Sequence, residues 1–369
     1  MELITFLNPK AYFKQIHLVR KFKSNSFKIF ISPIPLIVPF LYFLFVILFS
    51  RKTIIHLKKR DPKSFLFLKK IFKNRLILIT DLEGDLISEK EYLLQRKNED
   101  SNVINNNLEL SIQDEKVNLS KYDIIFVQNE YFKNLLKERH PSLKAVIKTS
   151  HLMSFKKGTL LFDKELRNKF RIKLGWENSY IVTYIGNIYY QWQNLSKTIK
   201  IFKKIKGNIS ENTRLLLLIR KVDHVLAKKI IEKHNLDKNN YYLQEVPHSE
   251  IRAYLSASDL GVVIRDFHTM NKVVTSGKLL DYLGSGLPVI TTSVFDRIAK
   301  YLKKKKYGII LDDLDLERLE YDKIQEVLNI NYQNRDEISI WANNNLSLDV
   351  TAQSYIKTLK SYNVQNKHL

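Results

Sequence analysis

A lysine and an aspartate stand three residues apart in the segment from Ser276 to Thr292 (SGKLLDYLGSGLPVITT). The leucines around Lys278 and Asp281 predict a helix, and residues three apart share one helix face, so this cation and this carboxylate should project together. The helix should begin at Ser276 and Gly277, where unpaired backbone N–H groups and the positive end of the helix dipole favour an anion. These residue types indicate a phosphate site beside the start of the helix.

The same segment has a plainer interpretation. A surface helix with one solvated ion pair between Lys278 and Asp281 would also fit the spacing, and such pairs contribute only about 0–1 kcal/mol. Beyond the helix, Gly284 and Gly286 predict its end, and residues 287–290 form a short apolar run suited to a buried parallel strand. The spacing alone leaves both interpretations open.

Residues 257–292 contain further motifs in a fixed order. A helix end at 257–260 (ASDL) precedes an apolar strand that ends in Arg265 and Asp266, followed by NKV at 271–273 and then by the helix that carries the lysine. This order resembles the nucleotide-sugar-binding segment of GT-B glycosyltransferases, especially the retaining family four enzymes that build bacterial capsules and O-antigens. That family usually has two glutamates eight positions apart, whereas this chain has Val273 and Asp281 at those positions.

The resemblance implies an α/β GT-B fold, in which two Rossmann-like domains face a central cleft, and it implies roles for individual residues. Arg265 and Lys278 would be the catalytic cations that bind the donor diphosphate, and Asp266 would contact the transferred sugar. Asp281 would bind the ribose hydroxyls, and a glycine at 186 would allow close approach of the backbone to the diphosphate. The donor-binding residues predicted on this basis are Gly186, Asn187, Arg220, Ser276, Gly277 and Asp281.

The amino-terminal half carries a weaker likeness to the same enzymes. Residues 79–85 (ITDLEGD) place Asp81 and Gly84 after a predicted strand, similar to the D-x-RG element of capsule-type glycosyltransferases, with Glu83 at the arginine position. The resemblance implies an acceptor-side role for Asp81 and Gly84. Asp81 could equally serve as a helix cap or a turn former.

Neither a metal site nor a cofactor is expected. The chain has no cysteine, which suits a reducing cytoplasm, and its nine histidines show no ligand-like clustering. Asp313-Leu314-Asp315 matches the D-x-D metal motif of the other major glycosyltransferase fold, but its position between an apolar strand and an acidic helix favours a helix cap. The diphosphate of the donor, which is itself a substrate, would then be neutralised by side-chain cations: Arg265, Lys278 and Arg220.

Alternating strands and helices predict the domain organisation. The strands predicted for the amino-terminal half follow a parallel-sheet pattern and are Phe27–Ser32, Thr53–Leu57, Leu76–Thr80 and Ile124–Gln128. We expect an acceptor-side domain over residues 1–155, a donor domain over 156–345 and a C-terminal helix over 346–369 that returns to the first domain. The asparagine-rich residues 99–118 are expected to form a mobile surface loop.

Positive charge is concentrated at the amino terminus. Of the chain's net charge of +23, the first 75 residues contribute +14, from 16 lysines and arginines against Glu2 and Asp61. These charges bracket the apolar stretch Ile29 to Phe49, in which three prolines leave only ten residues for an unbroken helix. The pattern favours a buried or membrane-dipping helix over a transmembrane span, and it favours peripheral binding to an anionic membrane surface.

The sequence favours one function and leaves two alternatives open. We expect a glycosyltransferase that moves a sugar, with retention, from a nucleotide-diphosphate sugar to a membrane-associated glycan or lipid-linked acceptor in surface polysaccharide synthesis. It would act in the cytoplasm, on the inner face of the cell membrane. An epimerase or hydrolase on the same fold would bind the same donor but need no acceptor. A nonenzymatic basic protein is the other alternative, although the lysines follow no nucleic-acid-binding motif and predict only nonspecific phosphate contacts.

Overall fold

The computed structural model describes residues 3–7, 27–31, 41, 44–45, 47–49, 53–57, 63–73, 75–97, 99–150, 155–208, 210–316, 321–330 and 332–365. The chain forms two compact units, each assembled from separate stretches of sequence. The first unit comprises Met1–Asp81, Leu110–Phe126 and His140–Ile147, and the second comprises Leu82–Glu109, Val127–Arg139 and Lys148–Leu369. The domain boundaries expected from the sequence, 1–155, 156–345 and 346–369, remain predictions.

Two sheets use the strands of the amino-terminal half. Strands β1 (Leu3–Leu7) and β2 (Phe27–Ile31) pair in parallel. A four-stranded sheet with the order β3-β4-β5-β6 consists of β3 (Thr53–His56), β4 (Leu76–Leu82), β5 (Ile124–Val127) and β6 (Val146–Thr149). The four strands predicted for this half are confirmed, with ends that agree within two residues, and Ser32 lies outside the described residues.

The second unit contains a six-stranded parallel sheet with the order β12-β11-β10-β7-β8-β9. Its strands are β7 (Tyr180–Ile185), β8 (Thr213–Leu218), β9 (Tyr241–Gln244), β10 (Leu260–Val263), β11 (Val289–Thr292) and β12 (Gly308–Leu311). The chain runs outward from β7 through β8 and β9, and β10 then pairs with the opposite side of β7. This reversal is a switch point of the kind at which open α/β sheets bind ligands, at the carboxyl ends of their strands.

Helices follow most of the strands and cover the sheets. The described helices are α1 (Lys63–Ile71), α2 (Leu86–Arg96), α3 (Ser101–Leu119), α4 (Glu130–Arg139), α5 (Lys164–Leu174), α6 (Leu195–Asn208), α7 (His224–Lys233), α8 (Ile251–Ala257), α9 (Thr269–Lys272), α10 (Gly277–Gly284), α11 (Asp296–Lys305), α12 (Tyr321–Leu328), α13 (Tyr332–Asn345) and α14 (Leu348–Gln365).

The six-stranded sheet serves two cores, one on each face. Ile181 belongs to one buried cluster and its neighbour Val182 to the other, because successive side chains of a strand point to opposite faces. Strands covered on both faces are largely apolar, as residues 215–218 of β8 and the whole of β10 are. The first cluster also holds α10 against the sheet through three of its leucines, Leu279, Leu280 and Leu283.

The mobile loop expected over residues 99–118 is wrong, because Ser101–Leu119 forms the 19-residue helix α3. These residues contain no glycine or proline that would break a helix. The Asp100 carboxylate accepts a hydrogen bond from the Asn102 N–H at 2.8 Å, which satisfies one backbone donor at the helix start. Most side chains of α3 are polar and lie outside the core, so the apolar periodicity that reveals a helix is weak here.

Part of the apolar stretch at 29–49 is described after β2, as helical residues between 41 and 49. Ile47 is fully buried, whereas Leu41, Phe45, Leu48 and Phe49 are 55%, 60%, 51% and 78% exposed. These four exposed positions follow the spacing of a single helix face. Among the residues that the structure describes, no helix combines the length and the apolar composition needed to cross a bilayer.

Candidate functional site

The start of α10 presents unused hydrogen-bonding groups. Ser276 is extended at the helix N-cap, and its side chain makes no capping hydrogen bond. Ser276 is only 5% exposed, and its hydroxyl has no hydrogen-bond partner in the described part of the chain. Because the first N–H groups of a helix also lack intrahelical partners, the Ser276–Gly277 end offers a set of donors to an anion.

Lys278 points from α10 to the end of β7. Its Nζ donates to the Tyr184 hydroxyl at 2.7 Å and to the Gln193 side-chain carbonyl, and it lies 3.4 Å from the Asn187 carbonyl. The ammonium group also sits 4.3 Å from the centre of the Tyr184 ring. Burial, and next the positive charge of Arg265, hold the pKa of Lys278 well below its ordinary value.

Arg265 is a second buried cation and follows β10. It is 8% exposed, and its guanidinium donates to the Trp192 carbonyl at 3.2 Å. Burial lowers its pKa as well. Within the described residues, neither Arg265 nor Lys278 forms an ion pair with a carboxylate. A buried lysine and a buried arginine that lack a paired carboxylate form a site that an anion would stabilise.

Asp266 lies beside Arg265 but is held by a network of its own. Its carboxylate accepts hydrogen bonds from the Tyr92 hydroxyl at 2.6 Å, the Asn194 amide at 3.0 Å and the Lys197 ammonium at 3.1 Å, and Arg96 Nη2 lies 3.5 Å away. Burial raises the pKa of Asp266, but these hydrogen bonds outweigh burial and keep its pKa below the ordinary value. The network fixes the loop that follows β10, and the predicted contact of Asp266 with the transferred sugar remains a prediction.

Asp281 does not pair with Lys278, so the solvated ion pair considered above is wrong. No hydrogen bond or ion pair joins the Asp281 carboxylate to any residue of the described ranges. Burial alone raises its pKa to about 7. At neutral pH the carboxyl group is therefore divided between its protonated and ionised forms, and either form can hydrogen-bond a hydroxyl group.

Gly186 has a neighbour that the sequence did not predict. Its φ is +98°, and a Cβ at this position would lie 2.7 Å from Cε of Lys278. The space beside Gly186 is thus taken by the lysine side chain, which passes it on the way to Tyr184. Asn187, next in the chain, contacts Lys278 through its carbonyl, and its side-chain Oδ1 is buried without a partner among the described residues.

The other predicted site residues have separate positions. Arg220 follows β8, is half-exposed and pairs with Asp223 at 3.0 Å. In the first unit, Asp81 is buried and accepts a hydrogen bond from His56 Nε2 at 2.9 Å. Gly84, in the second unit, packs near Val274. Lys278 therefore contacts Gly186 and Asn187, and burial together with the charge of Arg265 lowers its pKa, whereas Arg220, Asp81 and Gly84 make other contacts.

A cavity lies beside Lys221, the residue that follows Arg220. Its volume is about 500 Å³. It is lined by the end of β9 and the residues that follow it, and by residues at the start of α7: Lys221, His224, Gln244, Glu245, Val246 and Pro247. The Lys221 N–H donates to Glu245 at 2.9 Å across this cavity's rim. Val246 and Pro247 begin the turn that leads from β9 to α8.

No metal centre is found within the described ranges, in which no group of three His, Cys, Asp or Glu side chains could hold an ion. The carboxylate of Asp313 instead accepts a hydrogen bond from the Asp315 N–H at 2.9 Å. This short-range bond is the pattern of a turn, and the helix cap expected at the D-x-D segment stays a prediction.

One family model matches the part of the chain that contains this site. Residues 166–343 match the family model described as glycosyl transferases group 1. No curated protein matches the chain by sequence.

Solved structures share the fold at low sequence identity. HepE of Anabaena, in complex with UDP-glucose, is 11% identical, with a TM-score of 0.65 over 96% of this chain and 91% of that chain. Sucrose-phosphate synthase of Thermosynechococcus elongatus is 12% identical, with a TM-score of 0.60 over 88% of this chain and 77% of that chain. WaaG, a glycosyltransferase involved in lipopolysaccharide biosynthesis, is 11% identical, with a TM-score of 0.55 over 91% and 86% of the two chains.

These likenesses confirm the fold class expected from the sequence, an α/β protein with parallel sheets of the GT-B type. The family match covers the strands and helices that carry Gly186, Arg265 and Lys278. The chain therefore has the GT-B fold, and its residues 166–343 match the model of the glycosyl transferases group 1 family.

Proposed function

We propose that the site at α10 binds the diphosphate of a nucleotide-diphosphate sugar and transfers the sugar with retention to a membrane-associated glycan or lipid-linked acceptor. The observation that carries this proposal is the pair of buried cations, Arg265 and Lys278, which lack carboxylate partners among the described residues. The unpartnered Ser276 hydroxyl and the first turn of α10 supply further donors to the same anion.

In this proposal the site acts on the leaving group. Breaking the bond between sugar and diphosphate places negative charge on the departing phosphate. Fixed cations and N–H groups in a buried site stabilise that charge more strongly in the transition state than in the ground state. Lys278 suits this role, because an adjacent phosphate would raise its lowered pKa and keep it protonated. No metal ion is assigned to the reaction.

The remaining contacts of the donor are proposed from position. Asp281, with its pKa near 7, would bind the ribose hydroxyls in either protonation state. The cavity of about 500 Å³ beside Lys221 would hold the base. HepE is similar in fold and was solved with UDP-glucose, which makes a uridine nucleotide the first donor to test. Asp81 and Gly84 remain candidates for the acceptor side.

The surface and membrane roles are supported by the amino-terminal region. Its net charge of +14 over 75 residues would attract anionic lipid. The exposed face formed by Leu41, Phe45, Leu48 and Phe49 would add hydrophobic contact with the interface. A protein placed there would meet a lipid-linked acceptor on the inner face of the cell membrane, as surface polysaccharide synthesis requires. WaaG, similar in fold, is involved in lipopolysaccharide biosynthesis.

The donor is tested by thermal unfolding with UDP, GDP, ADP and CMP compounds, each with EDTA and with Mg²⁺. The correct nucleotide at 100 times its dissociation constant should stabilise the protein by about 2.7 kcal/mol, in EDTA as well as in Mg²⁺. Lys278→Ala should weaken this stabilisation and lower sugar transfer by about 10²-fold or more. Lys229→Ala, which removes an exposed lysine of α7, is the matched control and should behave as the native protein.

Some outcomes would contradict the proposal. If no nucleotide stabilises the protein, or if Lys278→Ala binds and transfers normally, the site has been misassigned. Stabilisation that appears only with Mg²⁺ would show that donor binding requires a metal ion. Release of free sugar at an undiminished rate without an acceptor would indicate a hydrolase. Inverted anomeric configuration of the product, read by NMR, would contradict retention.

A further inference from the structure

Two helices on one face of the six-stranded sheet carry an excess of positive charge. Helices α6 and α7 pack on the same face, because one buried cluster includes both Phe202 of α6 and Ile231 of α7. Their sequences contain eight lysines and a single carboxylate, that of Glu232. Both helices belong to the second unit, whereas the basic residues 1–75 belong to the first. Positive charge is therefore concentrated at two separate places in the chain.

Three of these lysines lie around one histidine. His234 Nε2 and the Ser196 hydroxyl are 2.5 Å apart, which ties the end of α7 to the start of α6. Burial, and next the charges of Lys203, Lys200 and Lys233, lower the pKa of His234. All three lysines are exposed, and none of them forms an ion pair with a carboxylate of the described residues. An external anion would therefore be attracted to this cluster.

Apolar side chains are exposed on the same pair of helices. Val222, just before α7, and Val225, in its first turn, are 76% and 68% exposed. Tyr189, in the loop that leads to α6, is 69% exposed. The Ile188 N–H donates to the Asp223 carboxylate at 3.4 Å, so Tyr189 and Val222 flank a contact between the two segments. The exposed surface thus combines apolar side chains at the start of α7 with lysines at its end.

The combination of cations and exposed apolar groups indicates the kind of partner. Lysines are attracted to the phosphates of an anionic membrane surface. Valine gains nothing from the phosphates of a nucleic acid or from a free phosphate ion, but it leaves water when it enters the headgroup region of a bilayer. Tyrosine is enriched at the same depth, where its ring is in apolar surroundings and its hydroxyl is hydrated. A nucleic acid would match the charge alone, whereas an anionic membrane matches both features.

We propose that the exposed surface of α6 and α7 is a second membrane-binding surface, at which the three lysines contact the phosphates of anionic lipids and the two valines enter the interface. This goes beyond the proposed function, which places the membrane contact in the amino-terminal region. The second unit would then be held at the membrane as well as the first. Two linked contacts bind more tightly than either contact by itself.

Contact at α7 is read from a fluorescent label at one position, because the native chain contains no cysteine. Val225→Cys carries the polarity-sensitive label NBD in the full chain, and Ile172→Cys, at an exposed position of α5, carries the control label. The probes are phosphatidylcholine vesicles with and without phosphatidylglycerol, inorganic phosphate, and a single-stranded RNA oligonucleotide. The label at 225 should brighten and shift to shorter wavelength with the anionic vesicles only, because it leaves water there. The label at 172 should not respond.

The lysines are tested by sedimentation of the full chain with the same anionic vesicles. Lys200→Gln/Lys203→Gln should weaken binding by about tenfold or more, because each cation near the surface contributes to the affinity. Lys304→Gln/Lys305→Gln is the matched control, since it removes the same charge from two exposed lysines of α11. The control should bind as the native protein does, within about twofold.

Nucleotide stabilisation in the thermal assay should be the same in both lysine variants, which distinguishes loss of this surface from loss of the donor site. Three results would overturn the proposal, whether or not residues 1–75 bind membranes. The first is a label at 225 that does not respond to anionic vesicles. The second is a response of that label to RNA or to inorganic phosphate in place of vesicles. The third is vesicle binding by Lys200→Gln/Lys203→Gln that equals that of its control.

Discussion

Lys278 and Asp281 lie on one helix, yet burial moves their pKa values in opposite directions. The pKa of Lys278 lies well below its ordinary value, whereas that of Asp281 is raised to about 7. Both shifts favour the neutral form, since a low-dielectric environment penalises either charge. A bound phosphate would reverse the first shift only. The lysine is thus suited to respond to the diphosphate, and the aspartate to a ligand that offers hydroxyl groups.

Asp281→Asn should stabilise the free protein at high pH. The folded-state pKa of about 7 exceeds the ordinary value of 3.8, so the folded protein binds more protons than the unfolded chain between these pH values. The free energy of unfolding therefore falls as pH rises through this window, and the penalty is complete above pH 7. Asparagine avoids the penalty, and the melting temperature at pH 8 should rise by about 2 °C or more.

The measurement is thermal unfolding of the native protein and Asp281→Asn at pH 5 and pH 8. At pH 5 the folded carboxyl is protonated and only the lower part of the window has been crossed, so the gain should be less than half of that at pH 8. Glu232→Gln removes an exposed carboxylate of α7 and should show no such pH dependence. An equal gain at both pH values would mean that the charge of Asp281 is not what costs stability. Donor affinity should fall in Asp281→Asn if the ribose contact is correct.

At the scale of elements, the site is made where three elements end or begin: β7 supplies Tyr184 and leads into Gly186, β10 leads into Arg265, and α10 supplies Lys278. The parallel sheet brings these points to one edge, because β7 and β10 are paired neighbours. Because Gly186 has no side chain, Lys278 can pass it and reach Tyr184. The backbone at Gly186 also has a positive φ, which favours glycine.

Gly186→Ala should impair the site by displacing the side chain of Lys278. At φ +98° an alanine is strained by about 1–3 kcal/mol, and its Cβ would displace Lys278 from its hydrogen bonds. Sugar transfer should fall towards the level of Lys278→Ala, with a lower melting temperature. Gly207→Ala is the control, because a Cβ there meets nothing within 4 Å and helix α6 tolerates alanine well. Native transfer rates in Gly186→Ala would show that the position of Lys278 is not critical.

The sequence pattern predicted some elements of the structure and missed others. Apolar runs predicted the strands around the site and the helix that begins at Gly277, because local periodicity determines both. Helix α3 was missed, since its polar residues hide the period. The hydrogen bond between Tyr92 and Asp266 joins residues 174 positions apart, and no local pattern encodes such a contact. The isolation of the Asp281 carboxylate likewise depends on how α10 packs, which its composition does not reveal.

At the scale of the whole molecule, charge and exposed apolar surface coincide in the amino-terminal region. The net charge of +14 in the first 75 residues is accompanied by an exposed helix face of four large side chains, with Ile47 buried opposite them. The rings of Phe45 and Phe49 contact each other on this face, with centroids 4.6 Å apart and planes tilted by 43°. An exposed apolar face among cations is typical of a helix that lies in the membrane interface.

We therefore expect the protein to bind anionic membranes peripherally, and high salt to weaken the binding. Attraction between exposed charges is screened beyond about 8–10 Å near physiological ionic strength, whereas hydrophobic burial of a spanning helix is not relieved by salt. Membranes from expressing cells are pelleted and washed with high salt and then with alkaline carbonate. The double variant Phe45→Ser/Phe49→Ser is compared with Ile172→Ser, a control that changes an exposed apolar side chain of α5. The phenylalanine variant should pellet less, and the control should pellet as the native protein does. Protein that resists both washes and leaves only with detergent would be integrally anchored, and protein that never pellets would contradict membrane binding.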